Sequence, residues 1–277
     1  MNIGIRLHDT LPGSLKERLG YAAQQGFSCV QLAMGKAVPG FRMDAAPELL
    51  TRELAEEVKA ELAEARMECA VLGCYLKPAC ADEEEAARMH EIYLAHLRFA
   101  AWIGARCVGT ETTPSDGPDG KGCRTEAHYR LLLDRLKPLA REAEELGTVL
   151  AVEPVCSHII HGAAPAERML EDLGSDSVRI ILDAVNLIDS EHTEQAAGLV
   201  DEAVRRLGSR VTVLHMKDFV PQPDAPRPRP VPCGQGRMDF RPLLRLAKEK
   251  NLPMTLENTT PDNAEQTRLR LEGMADG

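Results

Sequence analysis

Four short apolar runs in the second half of the chain each end in a residue of metal-binding type. TVLAVEP reaches Glu153, VRIILDA reaches Asp183, VTVLHMKD carries His215, and PMTLENT carries Glu257. Runs that stay apolar up to one polar residue read as buried strands, and the helical stretches between them favour parallel pairing. Laid side by side in one parallel barrel, all four polar side chains emerge at the C-terminal rim, where barrels of this kind place their chemistry. Three carboxylates and an imidazole gathered at one spot repel unless a cation sits among them. The pattern points to an enzyme that uses a divalent metal.

The rest of the chain repeats the same alternation. Strands are expected at 2–8, 28–33, 69–75 and 107–112, ahead of the four already named. Helices are expected at 14–25, 51–65, 82–103, 126–146, 165–173, 193–206, 239–250 and 261–274. Ser14 followed by Glu17 has the spacing of a capping box. Gly26, Gly104 and Gly147 stand where helices end before strands. Eight strands and eight helices predict an α/β protein, a single (β/α)8 TIM barrel over 1–277. The barrel is preferred to an open sheet, which would spread the four strand ends too far apart. A barrel of roughly 250 residues leaves no spare domain. The rhythm breaks at 221–232, PQPDAPRPRPVP, where six prolines exclude a helix or an interior strand. This segment follows strand seven on the catalytic face, as a semi-rigid lid, an oligomer contact or a solvated spacer.

Composition excludes several functions. A formal net charge of -10 argues against general nucleic-acid binding, which needs a basic face, and 4% aromatics leave little for base stacking. The eight cysteines include no CxxC pair and are too sparse for a disulfide scaffold. Cys29, Cys69 and Cys107 read as small apolar packing, while Cys74, Cys156 and Cys233 fall near strand ends or loops. MNIGIRLHD lacks a signal-peptide core and no apolar run approaches membrane-spanning length. A cytoplasmic protein of a reducing compartment is expected, with no membrane partner. There is no P-loop, dinucleotide fingerprint or nucleophile elbow. Gly234-Gln235-Gly236 is the one glycine-rich candidate for a phosphate cradle.

Several further residues fall at the predicted rim. Arg6 and His8 lie at the end of strand one, and alternation puts them on the same side of it. His8 binds a hydroxyl, acts as a base, or caps the next turn. Lys77, in CYLKP, either anchors a carbonyl or acidic group or is a surface lysine. Glu111 ends strand four as a substrate contact or as a partner to a metal ligand. Of His158 and His161, in VCSHIIHG, one is expected to contact substrate and the other to face solvent. Lys217 and Asp218 either organise the loop after strand seven or form an ion pair.

The motifs AVEP at Glu153, ILDAVNL at Asp183, LHMKDF at His215, GQGRMDF after strand seven and TLENT at Glu257 resemble those of the xylose isomerase-like barrel superfamily. The resemblance is to its sugar phosphate isomerase/epimerase branch, and it spans essentially the whole barrel. It implies a metal held by Glu153, Asp183, His215 and Glu257, with manganese first and magnesium, cobalt or zinc as alternatives. It implies that Glu153 and Glu257 also exchange protons with a sugar, through an enediolate that the metal helps to stabilise. Many family epimerases carry a histidine three residues after the strand-six aspartate, where this chain has Asn186. Many also carry an arginine after the strand-seven histidine, for which Lys217 and Arg237 are the nearest candidates. Rim loops of such barrels often build homo-oligomers. The expected substrate is a small unphosphorylated sugar or sugar derivative, isomerised or epimerised. Dehydration or cleavage on the same platform is the alternative, since His8, Lys77 and Glu111 supply groups able to protonate a leaving group. Related endonucleases for abasic DNA use a richer histidine set than the eight here, and a catalytically silent partner would have lost its metal residues.

Overall fold

The computed structural model describes residues 1–114, 121–222 and 224–276. In chain order the first half comprises β1 (Ile3–Arg6), α1 (Leu15–Gln24), β2 (Cys29–Leu32), α2 (Met34–Ala37), α3 (Ala46–Leu49), α4 (Arg52–Glu64), β3 (Glu68–Gly73), α5 (Glu83–Ile103), β4 (Val108–Glu111) and α6 (Glu126–Leu146). The second half comprises β5 (Leu150–Glu153), α7 (Ala163–Leu173), β6 (Val178–Asp183), α8 (Ala196–Leu207), β7 (Val211–Met216), β8 (Asp218–Val220), β9 (Arg229–Val231), α9 (Arg241–Lys250), β10 (Met254–Leu256) and α10 (Ala264–Asp276). Eight parallel strands close a barrel in the order β1-β10-β7-β6-β5-β4-β3-β2. The chain is a single (β/α)8 TIM barrel, as its alternation predicts.

Local chemistry sets the helix ends. Ser14 accepts from the Glu17 N–H while the Glu17 carboxylate accepts from the Ser14 N–H at 2.8 Å, the reciprocal pair its spacing predicts. Thr51, Asp82 and Thr125 accept the third N–H of α4, α5 and α6. Gly104 and Gly147 close α5 and α6 with φ of 72° and 62°, a left-handed geometry that a side chain disfavours. Each cap turns the chain sharply into the next buried strand.

Strand parity positions the site. Ala151, Ile181 and Val213 belong to a small apolar cluster with Val71, Cys29, Ala70 and Cys107, apart from the main core. This set fills the barrel interior, whereas Val152, Leu182 and Leu214 join the larger core under the helices. Side chains two residues apart share a face. Glu153, Asp183 and His215 therefore stand one step above Ala151, Ile181 and Val213, pointing into the mouth. Register holds them level, with Asp183 opposite His215 and Glu111 opposite Glu153. β10 pairs Thr255 with His215, and Glu257 follows it directly. Burial of such aliphatic side chains stabilises by about 2 kcal/mol each, so the layer beneath the site is a firm floor.

Three departures from the expected layout matter. Strand one stops at Arg6, and Leu7–Asp9 form a 3-10 turn, so alternation does not place His8. β3 stops at Gly73, leaving Lys77 on an exposed stretch beyond it. The proline-rich segment contains ordered structure, because β9 pairs antiparallel with β8, Pro230 opposite Phe219. Proline is tolerated there because a two-stranded ribbon has only edge strands. Among the described residues no helix is long and apolar enough to cross a membrane.

Candidate active site

At the floor of the barrel mouth, His215 lies between two carboxylates. Its Nδ1 is 3.1 Å from Glu153 Oε2 and 3.3 Å from Glu257 Oε1. The two glutamates approach from β5 and β10, on either side of the β6–β7 pair that carries Asp183 and His215. Ligand atoms of Glu153, Asp183 and His215 lie within 4.8 Å of one another, and all three residues are buried. Lys217 Nζ closes the ring, 2.7 Å from Asp183 Oδ2 and 3.0 Å from Glu257 Oε2. Arg6 reaches Glu257 from β1 at 3.6 Å and is held by Asp9 at 2.8 Å.

The charges in this ring depend on one another. Burial alone would hold the His215 imidazole neutral, but Glu153 and Glu257 outweigh it and push its pKa up to about 9. Burial likewise opposes the charges of Glu257 and Lys217. The Lys217 ammonium, with His215 and Arg6, nevertheless holds the Glu257 carboxyl well below the usual range. Asp183 and Glu257 in turn raise the Lys217 ammonium above its ordinary value. The three carboxylates thus call for positive charge at the centre of the ring.

The donor set fits a divalent ion. Both ring nitrogens of His215 and Asp183 Oδ2 are buried without a hydrogen bond of acceptable geometry, although ion-pair partners lie close. With these unpartnered polar atoms, the three carboxylates and one imidazole form a set typical of manganese, magnesium, cobalt or zinc sites. Asp183 is fixed by its other oxygen, which accepts from the N–H groups of Val185 and Asn186 at 3.0 and 3.2 Å. That orientation leaves Oδ2 aimed at the ring.

A cavity of about 640 Å³ opens above the ring. Arg6, His8, Glu111, Glu153, Asn186, Lys217 and Glu257, all expected at the rim, line it. Asn186 is central. Its Nδ2 donates to Glu153 Oε1 at 2.6 Å, and its Oδ1 accepts from Lys217 Nζ at 3.1 Å. Burial and the charges of Arg6 and Lys36 push His8 down to about 4, so it is neutral at neutral pH. Burial beside Glu153 pushes the Glu111 carboxyl up to about 7.

Other expected residues lie elsewhere. Lys77 is exposed and off the cavity wall, because β3 ends too early to carry it there. Arg237 points away, paired with Glu194 at 2.9 Å and more than half exposed. His158 is buried behind the wall, 3.8 Å from Glu111, where burial and Arg227 push it down to about 4. His161 contacts the Ile159 carbonyl at 3.0 Å, outside the cavity. Lys217 and Asp218 do not pair with each other. Lys217 joins the ring, and Asp218 takes the N–H groups of Phe219, Gly234, Gly236 and Met238 at 2.8 to 3.1 Å. The glycine-rich cradle is therefore filled by the chain's own carboxylate rather than by a phosphate.

Sequence reasoning missed Tyr75, Gln31 and Arg227. Tyr75 and Gln31 line the cavity and bond to each other at 2.9 Å. Arg227 descends from the proline-rich ribbon onto Asn186 Oδ1 at 2.5 Å. Its one signal was being one of two arginines, with Arg229, in a stretch already assigned to the catalytic face.

The architecture recurs in solved proteins. A 3-keto-D-glucoside 4-epimerase from E. coli superposes with TM-score 0.77 at 19% identity, covering 99% of both chains. The IOLI protein, solved with zinc bound, gives 0.74 at 17% identity, covering 99% of this chain and 98% of its own. A D-psicose 3-epimerase from Clostridium cellulolyticum H10, solved with D-tagatose, gives 0.72 at 14%, covering 100% and 94%. At these identities the likeness is one of fold. No protein of curated function matches the sequence significantly. Residues 19–275 match the family described as xylose isomerase-like TIM barrel, and the chain belongs to that family.

Proposed function

We propose that this protein is a divalent-metal-dependent sugar isomerase or epimerase that moves a proton at the carbon next to a carbonyl. The observation that carries this reading is the pair of buried carboxylates, Glu153 and Glu257, converging on His215 from two sides of the β6–β7 pair. The epimerases among the structural neighbours support it. An ion held by Glu153, Asp183, His215 and Glu257 would polarise the carbonyl and neighbouring hydroxyl oxygens and acidify the C–H between them. Manganese is the first metal to test, ahead of magnesium, cobalt and zinc.

The chain's own groups then supply proton transfer and orientation. One glutamate removes the proton to give an enediolate, and the glutamate on the other face, or the same one, returns it. Asn186 holds Glu153 by one oxygen and turns the other towards His215 and the centre of the ring. Lys217 and Arg6 hold Glu257 ionised and fix its position beside His215. Tyr75 and Gln31 offer hydroxyl and amide groups to sugar hydroxyls along the cavity wall.

The test is proton exchange in heavy water. Manganese-loaded protein incubated with a panel of ketoses, aldoses and their sugar acids is expected to place one deuteron beside the carbonyl of its substrate, read by NMR. Glu153→Gln and Glu257→Gln should each slow this by about 10²- to 10⁴-fold. Metal-loaded protein that exchanges no proton on any sugar would end the proposal. Glu111 favours a second reading as a lyase or dehydratase. With its carboxyl held up to about 7 in the cavity wall, it is a ready acid for a leaving group. An unsaturated or cleaved product in the same spectra would select that reading.

A further inference from the structure

Among the described residues Arg227 makes no close ion pair, and the Glu111 carboxylate on the same cavity wall acts on it only at longer range. Glu153, Asp183 and Glu257 carry three negative charges, which a divalent ion and Lys217 balance, and Arg6 is matched by Asp9. Among the described residues Arg227 makes one side-chain hydrogen bond, to the neutral oxygen of Asn186. It is half-buried in the cavity wall, unlike Lys36, whose exposed ammonium is solvated. A guanidinium drawn partly out of water without a carboxylate is costly unless the ligand supplies one.

We infer that Arg227 is the receptor for a carboxylate on the substrate, which makes the substrate a sugar acid rather than a neutral sugar. The inference rests on the proton-transfer reading above and narrows its substrate class. Arginine's planar fork matches a carboxylate with two parallel hydrogen bonds. A phosphate would call for several backbone N–H donors as well. Pro226, Pro228 and Pro230 around Arg227 have none to give, and the N–H groups of Gly234 and Gly236 are already taken by Asp218. Through Asn186, Arg227 stands one side chain away from Glu153, so the acid group and the reacting carbon belong to one short molecule. The proline-stiffened ribbon holds the guanidinium over the mouth with little entropy left to lose on binding.

D-Tagaturonate and D-tagatose differ at C6, carboxylate against hydroxymethyl, and D-tagatose 6-phosphate places a phosphate there. The fructose series gives a second such set. Calorimetry with manganese-loaded wild type, Arg227→Gln and Arg227→Lys gives each dissociation constant, and NMR follows turnover of the same compounds. Expected in wild type is binding of an acid at least about tenfold tighter than its neutral partner, and tighter than the phosphate. The ratio should collapse towards one in Arg227→Gln and survive in part in Arg227→Lys, which keeps charge but not the fork. Absence of an acid preference in wild type, its persistence in Arg227→Gln, or tighter binding of the phosphate overturns the inference. An Arg227-dependent preference without proton exchange leaves this inference standing and ends the isomerase reading. Turnover of the neutral sugar with no Arg227-dependent preference does the reverse.

Discussion

Asn186 and Lys217 tie the floor of the site together. Asn186 stands where the family resemblance leads one to expect a histidine, and its amide joins Glu153, Lys217 and Arg227 in one network. A neutral amide can do this because it donates to the carboxylate with one end and accepts from two cations with the other. Asn186→Ala is expected to lower kcat/KM by about 10- to 100-fold while leaving metal content intact, checked by steady-state kinetics beside metal analysis. Lys217 supplies buried positive charge to Asp183 and Glu257. Lys217→Met should cost the metal-free protein about 3 to 5 kcal/mol and the metal-loaded protein less, because the ion compensates the same carboxylates. Thermal unfolding of both forms checks this, and an equal loss in the two would contradict it. None of these partnerships was legible from sequence. Position along a strand places Asn186 and Lys217 near the rim, but which neighbour each side chain meets depends on the order of strands around the barrel.

At the scale of elements, the loop after β7 is organised by Asp218. Its carboxylate collects four backbone N–H groups from Phe219 to Met238, which closes the ribbon of β8 and β9 and lets it return over the mouth. Gly236 is required there, because a Cβ would collide with the Phe219 carbonyl and the Asp218 side chain. Asp218→Ala should lower stability by about 1 to 3 kcal/mol, seen as a fall in the urea midpoint, because it removes the shared acceptor of four backbone donors, one buried and three partly buried. The sequence marked the place of this ribbon through its prolines, since they forbid interior strands. It did not mark the pairing, which uses three residues on each side and no β-branched alternation. Lys77 lies off the cavity because hydrophobic runs overestimate strand length, so a residue just past a real strand end looks like a rim residue. Arg237, named through the family resemblance, lies well beyond the end of β7 and pairs with Glu194 instead.

The whole barrel was legible because its evidence repeats. The apolar run followed by a helical stretch recurs in all eight units, and caps or closing glycines mark several of them, which leaves few alternatives. Its acid stability is legible only from structure. His96 is fully buried in α5, bonded through Nδ1 to the Ile92 carbonyl at 2.8 Å, and burial pushes its pKa down to about 4. A depressed histidine means the unfolded chain binds the proton first. Its contribution is therefore fully present above about pH 6.5 and is lost as pH falls towards 4, on the order of 3 kcal/mol. Urea unfolding across that window should show the fall in wild type and a shallower one in His96→Phe.

The most direct test of the site is metal content by mass spectrometry, on protein exposed to manganese, cobalt and zinc and then freed of excess. Wild type should be compared with His215→Ala and Glu257→Ala. Expected is close to one tightly held divalent ion per chain in wild type and none in either variant, with the fold of each intact by circular dichroism. Wild type that retains no ion from any of the three metals would mean that Glu153, Asp183, His215 and Glu257 form a structural charge cluster, and the proposed chemistry would fall with it.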